Sequence, residues 1–274
     1  LPASKKSPPK NFPTKPRIQK TAGEKRKTES KFYGIHACQA IFSQRRDDII
    51  RAYFTERTKV EFRELASWCA KQRLAYHLVD DDELAAITAS VHHEGVCLIA
   101  KKRKNIDQQE MLQRLKAAEK PSLIFYLDGV GNPHNLGAIL RSAANFGVQF
   151  IVGKIGELPE LSPSAARIAE GGAEFVELIG VENPEHLFKS LTASGFEMIA
   201  TDSHGGSELW STALPKRAVI IMGAEILGVS KKILALAKKR IQIPGTGKIE
   251  SLNVSVAAGI LAAEFHRQHH SKLF

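Results

Sequence analysis

The chain has 274 residues, 43% of them hydrophobic, and a formal net charge of +10. This is enough for one large domain or two modest ones with real cores, while no apolar run reaches the ~18–20 residues of a membrane helix and no signal-peptide segment opens the chain. Cys38, Cys69 and Cys97 are widely spaced and odd in number, so reduced thiols in a cytoplasmic protein are expected rather than a disulfide framework.

The charge is uneven. Residues 1–30 hold nine Lys/Arg against two Glu and carry most of the excess, with Pro, Ser and Thr between them. Such a stretch cannot offset its ordering entropy, and it is expected to be a disordered basic tail that either attracts RNA or merely links. The start at Leu1 is what a fragment or trimmed chain would present.

Residues 31–100 alternate short helical and strand patterns and predict a small α/β domain. Helices are expected at 34–42, 61–71 and 81–86, and strands at 50–54, 75–79 and 96–100. Residues 101–120 are charged and Gln-rich, which reads as a linker with some helix. Residues 121–274 repeat the alternation on a larger scale. Strands are expected at 123–127, 150–152, 175–178, 197–201, 218–222 and 241–243. Helices are expected at 136–146, 162–170, 184–194, 231–238 and 251–266. Strands followed by crossover helices predict a mainly parallel sheet covered on both faces.

Several near-motifs fail. Gly245-Thr246-Gly247-Lys248 lacks the earlier glycine and the following Ser/Thr of a phosphate loop, and Gly129-Val130-Gly131 lacks the third glycine of a dinucleotide fingerprint. His266, His269 and His270 read as a solvated tail rather than a metal site, and His92-His93 as a polar turn. No metal site is expected.

Three patches remain. Asn135-x-Gly137-x-x-x-Arg141 follows an apolar strand and opens a helix; Gly137 permits close backbone approach, and Arg141, one turn on, suits a phosphate. Gly223-Ala224-Glu225 leaves a buried strand and reaches Gly228 before a Lys-rich helix. Ile243-Pro244 enters a loop that ends at Ser251-Leu252-Asn253 and a helix of small residues. Each has an ordinary reading beside the functional one: a solvated Arg, a Glu at a helix N-terminus, and Ser251 as an N-cap.

In this order and spacing the three patches resemble the signature motifs of the SpoU (TrmH) family of RNA 2'-O-ribose methyltransferases, within the SPOUT class, over residues 121–267. The first motif matches at Asn135, Gly137 and Arg141, the second at Gly223, Glu225 and Gly228, and the third at Ile243, Pro244, Ser251, Leu252 and Asn253. Ala224 departs from the pattern, standing where many members have Asn. Residues 32–100, with Tyr33-Gly34 and His93-Glu94-Gly95-Val96, resemble the family's small substrate-binding domain, similar to ribosomal protein L30e.

The resemblance implies an α/β fold: a C-terminal SPOUT domain with a deep trefoil knot and a parallel sheet, plus the L30e-like domain. It implies a homodimer, and S-adenosylmethionine held by Thr201, Met222, Gly223, Ile243 and Leu252, mostly through backbone. It implies a catalytic set of Asn135, Arg141, Glu225, Ser251 and Asn253. Arg141 would stand at the reacting 2'-hydroxyl of ribosomal or transfer RNA. A guanidinium holds its proton too tightly to be a good base, so a phosphate clamp is the favoured role. Glu225 would orient Arg141 or Ser251, and the two asparagines would hold loops and ribose. The alternative is a cofactor-binding RNA assembly factor with little turnover; a SPOUT enzyme methylating a base is a third possibility, against which Ser251-Leu252-Asn253 speaks.

Overall fold

The computed structural model describes residues 28–118, 120–225 and 227–270. Nearly all of the expected basic tail lies outside these. Its last residues do not belong to a tail: strand β1 (Glu29–Tyr33) starts two residues before the expected boundary and pairs antiparallel with β4 (Val96–Lys101). Only Phe32 and Tyr33 are buried along it, so its identity rests on a partner nearly 70 residues away and not on local pattern.

The first domain is a four-stranded sheet in the order β1-β4-β2-β3, with β2 (Ile49–Phe54) and β3 (Ala75–Leu78) parallel. Helices α1 (Ile35–Arg45) and α2 (Arg63–Lys71) cover one face, burying Cys38, Ile41, Leu65 and Cys69 against Phe32, Leu98 and Ala100. Helix α3 (Asp81–Thr88) covers part of the other face through Leu84, and its N-cap Asp80 accepts the Glu83 N–H at 2.8 Å.

The second domain is a seven-stranded sheet whose neighbouring strands all pair parallel. Its order is β7 (Glu177–Val181), β6 (Phe150–Lys154), β5 (Ser122–Asp128), β10 (Arg217–Gly223), β8 (Glu197–Thr201), β11 (Lys239–Gln242) and β9 (Ser207–Glu208). Alternation along the central strands feeds two cores. Leu123, Phe125 and Leu127 of β5 meet α5 (Pro133–Asn145) and α9 (Val254–His270). Ile124 and Tyr126 meet α4 (Gln108–Ala117), α7 (Pro184–Ala193) and α8 (Lys231–Leu234) on the opposite face. The supposed linker therefore supplies a packed helix, with Met111 and Leu115 fully buried.

Two expectations are revised at the C-terminus. Helix α9 starts at Val254 rather than Ser251, because Asn253 is its cap: the Asn253 Oδ1 accepts the Ser255 N–H at 2.8 Å. His269 belongs to this helix and not to a solvated tail, its Nε2 lying 3.1 Å from the Leu214 carbonyl and its ring against Phe265.

The domains are joined by more than chain. Arg45 of α1 binds Glu174 through two hydrogen bonds of 2.7 and 3.0 Å. Arg103 reaches Glu177 at 2.5 Å, and Arg167 reaches Glu94 at 3.4 Å. Ala166, on helix α6 (Pro163–Ile168), is packed into the first domain's core.

Candidate functional site

Strand order reverses between β5 and β10: the chain moves outward one way through β6 and β7, then crosses to the other side of β5. Loops at the carboxyl ends of strands around such a switch point form the crevice of open α/β sheets, and all three motif patches lie on them.

The first loop follows β5. The Asn132 side chain accepts the His134 N–H at 2.9 Å, and Pro133 occupies the first turn of α5, where a missing N–H costs nothing. This places Asn135 in the first helical turn, only 9% exposed. Gly137 and Arg141 share a face, as their spacing predicts. A Cβ at Gly137 would lie 2.6 Å from the Ala165 carbonyl oxygen, while Arg141 extends into solvent and reaches Glu170 at 3.7 Å.

The second loop leaves β10 at Gly223 and folds straight back, the Gly228 N–H donating to the Ala224 carbonyl at 2.8 Å. A Cβ on Gly223 would collide with the Gly228 backbone, so no other residue fits there. The far end of the loop is pinned by Asp128, buried at the end of β5, which accepts the Ser230 N–H at 2.7 Å.

The third loop runs from β11 to α9 and carries Asn253. Its Nδ2 donates to Glu225 Oε1 at 2.8 Å and to Asn135 Oδ1 at 3.1 Å, and the Asn135 Nδ2 donates to the same Glu225 oxygen at 2.9 Å. Three side chains from three loops thus close a triangle. One carboxylate oxygen takes two amide N–H groups, and the asparagines also bond to each other.

The expectation that Glu225 orients Arg141 or Ser251 is corrected. Glu225 is engaged by Asn135 and Asn253, and the carboxylate beside Arg141 is Glu170. Arg141 lies six positions after Asn135 on α5, about 9 Å of helix rise. Ser251 stands exposed, with no hydrogen-bond partner among the described residues. Asp128, Asn132 and Glu170 were not among the expected site residues. An Asp ending an apolar strand and an Asn before Pro were legible signals for the first two; Glu170 carried none.

The five residues expected around a cofactor gather at the carboxyl ends of neighbouring strands or on the loop beyond. Thr201 ends β8, beside Ile241, and its hydroxyl donates to the Ile221 carbonyl at 3.0 Å. Met222 is buried, so only its backbone can face a ligand; Gly223 and Ile243 are half-buried. Leu252 is 47% exposed, and Leu227 and Ile249 on these loops are more so, which is unusual for large apolar side chains close to a core. None of the five expected residues is charged. Apolar side chains and strand-end backbone suit a flat, neutral group such as an adenosine, so the residues fit the expected cofactor. Among the described residues no group of three His, Cys, Asp or Glu could hold a metal ion. His93 is buried, its Nδ1 accepting the Gly95 N–H at 3.1 Å, a structural role.

Residues 122–263 match the SpoU rRNA Methylase family, and residues 32–106 match the RNA 2'-O ribose methyltransferase substrate-binding family. The chain belongs to the SpoU family. An uncharacterized tRNA/rRNA methyltransferase, YfiF, of Escherichia coli O157:H7 is 37% identical over 89% of this chain and 70% of its own length. The 23S rRNA (guanosine-2'-O-)-methyltransferase RlmB of Neisseria meningitidis is 32% identical over 86% of this chain and 94% of its own. The SpoU methyltransferase AviRb of Streptomyces viridochromogenes, crystallised with AdoMet, shares the fold, with a TM-score of 0.74 at 19% identity over 93% of this chain and 96% of that one. The two family matches cover both domains, and the triangle joins one residue from each of the three sequence patches.

Proposed function

We propose that the chain transfers a methyl group from S-adenosylmethionine to a ribose 2'-hydroxyl of ribosomal or transfer RNA. The observation that carries this is the Asn135–Glu225–Asn253 triangle, which ties three distant stretches of chain together at the carboxyl ends of the strands. The relatives named for 23S rRNA make ribosomal RNA the first substrate to try.

When bound, S-adenosylmethionine supplies an electrophilic methyl group on a good leaving group. The protein's task is then to align the hydroxyl with that methyl and to assist loss of its proton. Thr201, Gly223, Ile243 and Leu252, with the Met222 backbone, hold the cofactor. The triangle fixes the loops. Arg141, 64% exposed at the side chain, clamps the phosphate beside the target ribose and lowers the cost of forming the alkoxide. Ser251, exposed and unengaged, is free to meet the substrate.

The same reading makes the chain from β10 through α9 the threaded part of a knot and the working unit a cytoplasmic homodimer. A groove of about 390 Å³ between α5 and α9, lined by Arg141, Ser142, Val256 and Gly259, supports a second copy packing there and receiving Arg141. The test is a tritium-methyl assay on total RNA followed by alkaline or nuclease digestion. Resistant dinucleotides are expected. Cofactor binding without any transfer would instead identify an assembly factor.

A further inference from the structure

The segment between α6 and β7 is wedged between the two domains at the level of Arg141. Gly171 faces the first domain: a Cβ there would lie 2.8 Å from the Ala40 Cβ and 3.1 Å from the His36 carbonyl oxygen. Gly172 faces the other way, where a Cβ would lie 2.7 Å from the Leu140 carbonyl oxygen and 3.1 Å from the Arg141 Cα. The next residues are bolted down, Ala173 by its carbonyl to Arg103 at 2.9 Å and Glu174 by Arg45. This strap touches α1 on one side and the backbone of Arg141 on the other, with no room for a methyl group at either contact.

Glu170 opens the strap. Its φ is +49°, a left-handed conformation in which glycine is the default. A non-glycine residue persists there only when its surroundings hold it. Its carboxylate faces one group in each domain: Oε1 is 3.7 Å from Arg141 Nη1, and Oε2 is 3.8 Å from His36 Nε2, an ion pair when that imidazole is protonated. Its side chain is 24% exposed, against 64% for Arg141 and 65% for His36, so it is the fixed member of the trio.

We propose that Glu170 is a positioning residue: it aims the Arg141 guanidinium and registers it, through His36 and the glycine strap, against the substrate-binding domain. RNA seated on that domain then meets a guanidinium whose other N–H groups are left for the backbone phosphate. This rests on the methyltransferase reading for its consequence and on the strap alone for its geometry.

The test uses the full chain with Glu170→Gln, Glu170→Asp and His36→Ala, and reads the Arg141 Nε–H resonance, assigned by its loss in Arg141→Lys. Glu170→Gln is expected to shift and broaden that resonance. It should lower kcat on RNA about two- to fivefold, the range of a partly exposed ion pair, with KM and S-adenosylmethionine affinity unchanged. Glu170→Asp should recover part of the kcat, and His36→Ala should move the same resonance. An Arg141 signal unmoved by Glu170→Gln overturns the proposal, as does a kcat loss that Glu170→Asp fails to relieve. A wild-type chain that moves no methyl to RNA, yet whose Arg141 signal answers to Glu170 and His36, sinks the methyltransferase reading and leaves the positioning intact.

Discussion

Replacing Glu225 by Ala tests the triangle directly. The substitution removes the acceptor of two amide N–H groups. Asn135 is 9% exposed, and its Nδ2 loses a 2.9 Å bond; stranding a mostly buried donor costs about 1–2 kcal/mol. Asn253 is exposed, so water can replace its 2.8 Å bond to Glu225 and screening reduces its share to roughly 0.5 kcal/mol. The sum, about 2 kcal/mol, corresponds to a Tm drop of about 4–8 °C for a chain of this size. Because Asn253 also caps α9, the loosening should reach the loop carrying Leu252 and weaken S-adenosylmethionine binding. Glu225→Gln keeps an acceptor oxygen without the charge and should fall between. Thermal denaturation and calorimetry with the cofactor provide the measurements. An Ala variant that melts within 1 °C of wild type and binds the cofactor equally well would refute the idea that these three side chains hold the site.

Arg141→Ala should cut methyl transfer by about a hundredfold or more, the scale of losing a positioning clamp, while calorimetry finds S-adenosylmethionine affinity within twofold of wild type. Burial pushes the Cys97 thiol up to about 12 from its ordinary 9.0. The folded state therefore keeps this proton after the unfolded chain has released it, and stability should fall between pH 9 and 12, by about 1.4 kcal/mol per pH unit for this thiol. Urea denaturation at pH 8, 9 and 10 checks the slope, and a flat response counts against a protonated, buried Cys97. Deleting residues 1–27, which carry nine Lys/Arg against Glu24, should flatten the salt dependence of RNA binding measured by filter retention; an unchanged slope would make the tail a linker.

Much of this architecture was legible because its signals are local. The strand cores of β5, β8 and β10 are short apolar runs bounded by turn residues, and Asn132-Pro133 marks the start of α5. Gly137 and Gly223 stand where backbones touch, which spacing alone suggested for the first. What could not be read is non-local. Nothing in residues 29–33 announces a strand except the partner strand, β4. Helix α4 looks like a charged linker because only Met111 and Leu115 are fully buried and the rest faces water. The partner of Glu225 was misjudged for the same reason: sequence order gives the three loops but not which side chains meet across 28 and 90 residues. Glu170 was invisible because its role depends on a left-handed turn pressed between two domains.

Helix α4 also decides where this protein can be divided. Ile106, Met111 and Leu115 roof the same core as Ile124 and Tyr126. A catalytic half begun at Pro121 would uncover that core and should aggregate on expression. The severable stretch lies near Lys104 and Asn105, so any chimera that exchanges RNA-recognition modules must carry the helix with the methyltransferase half.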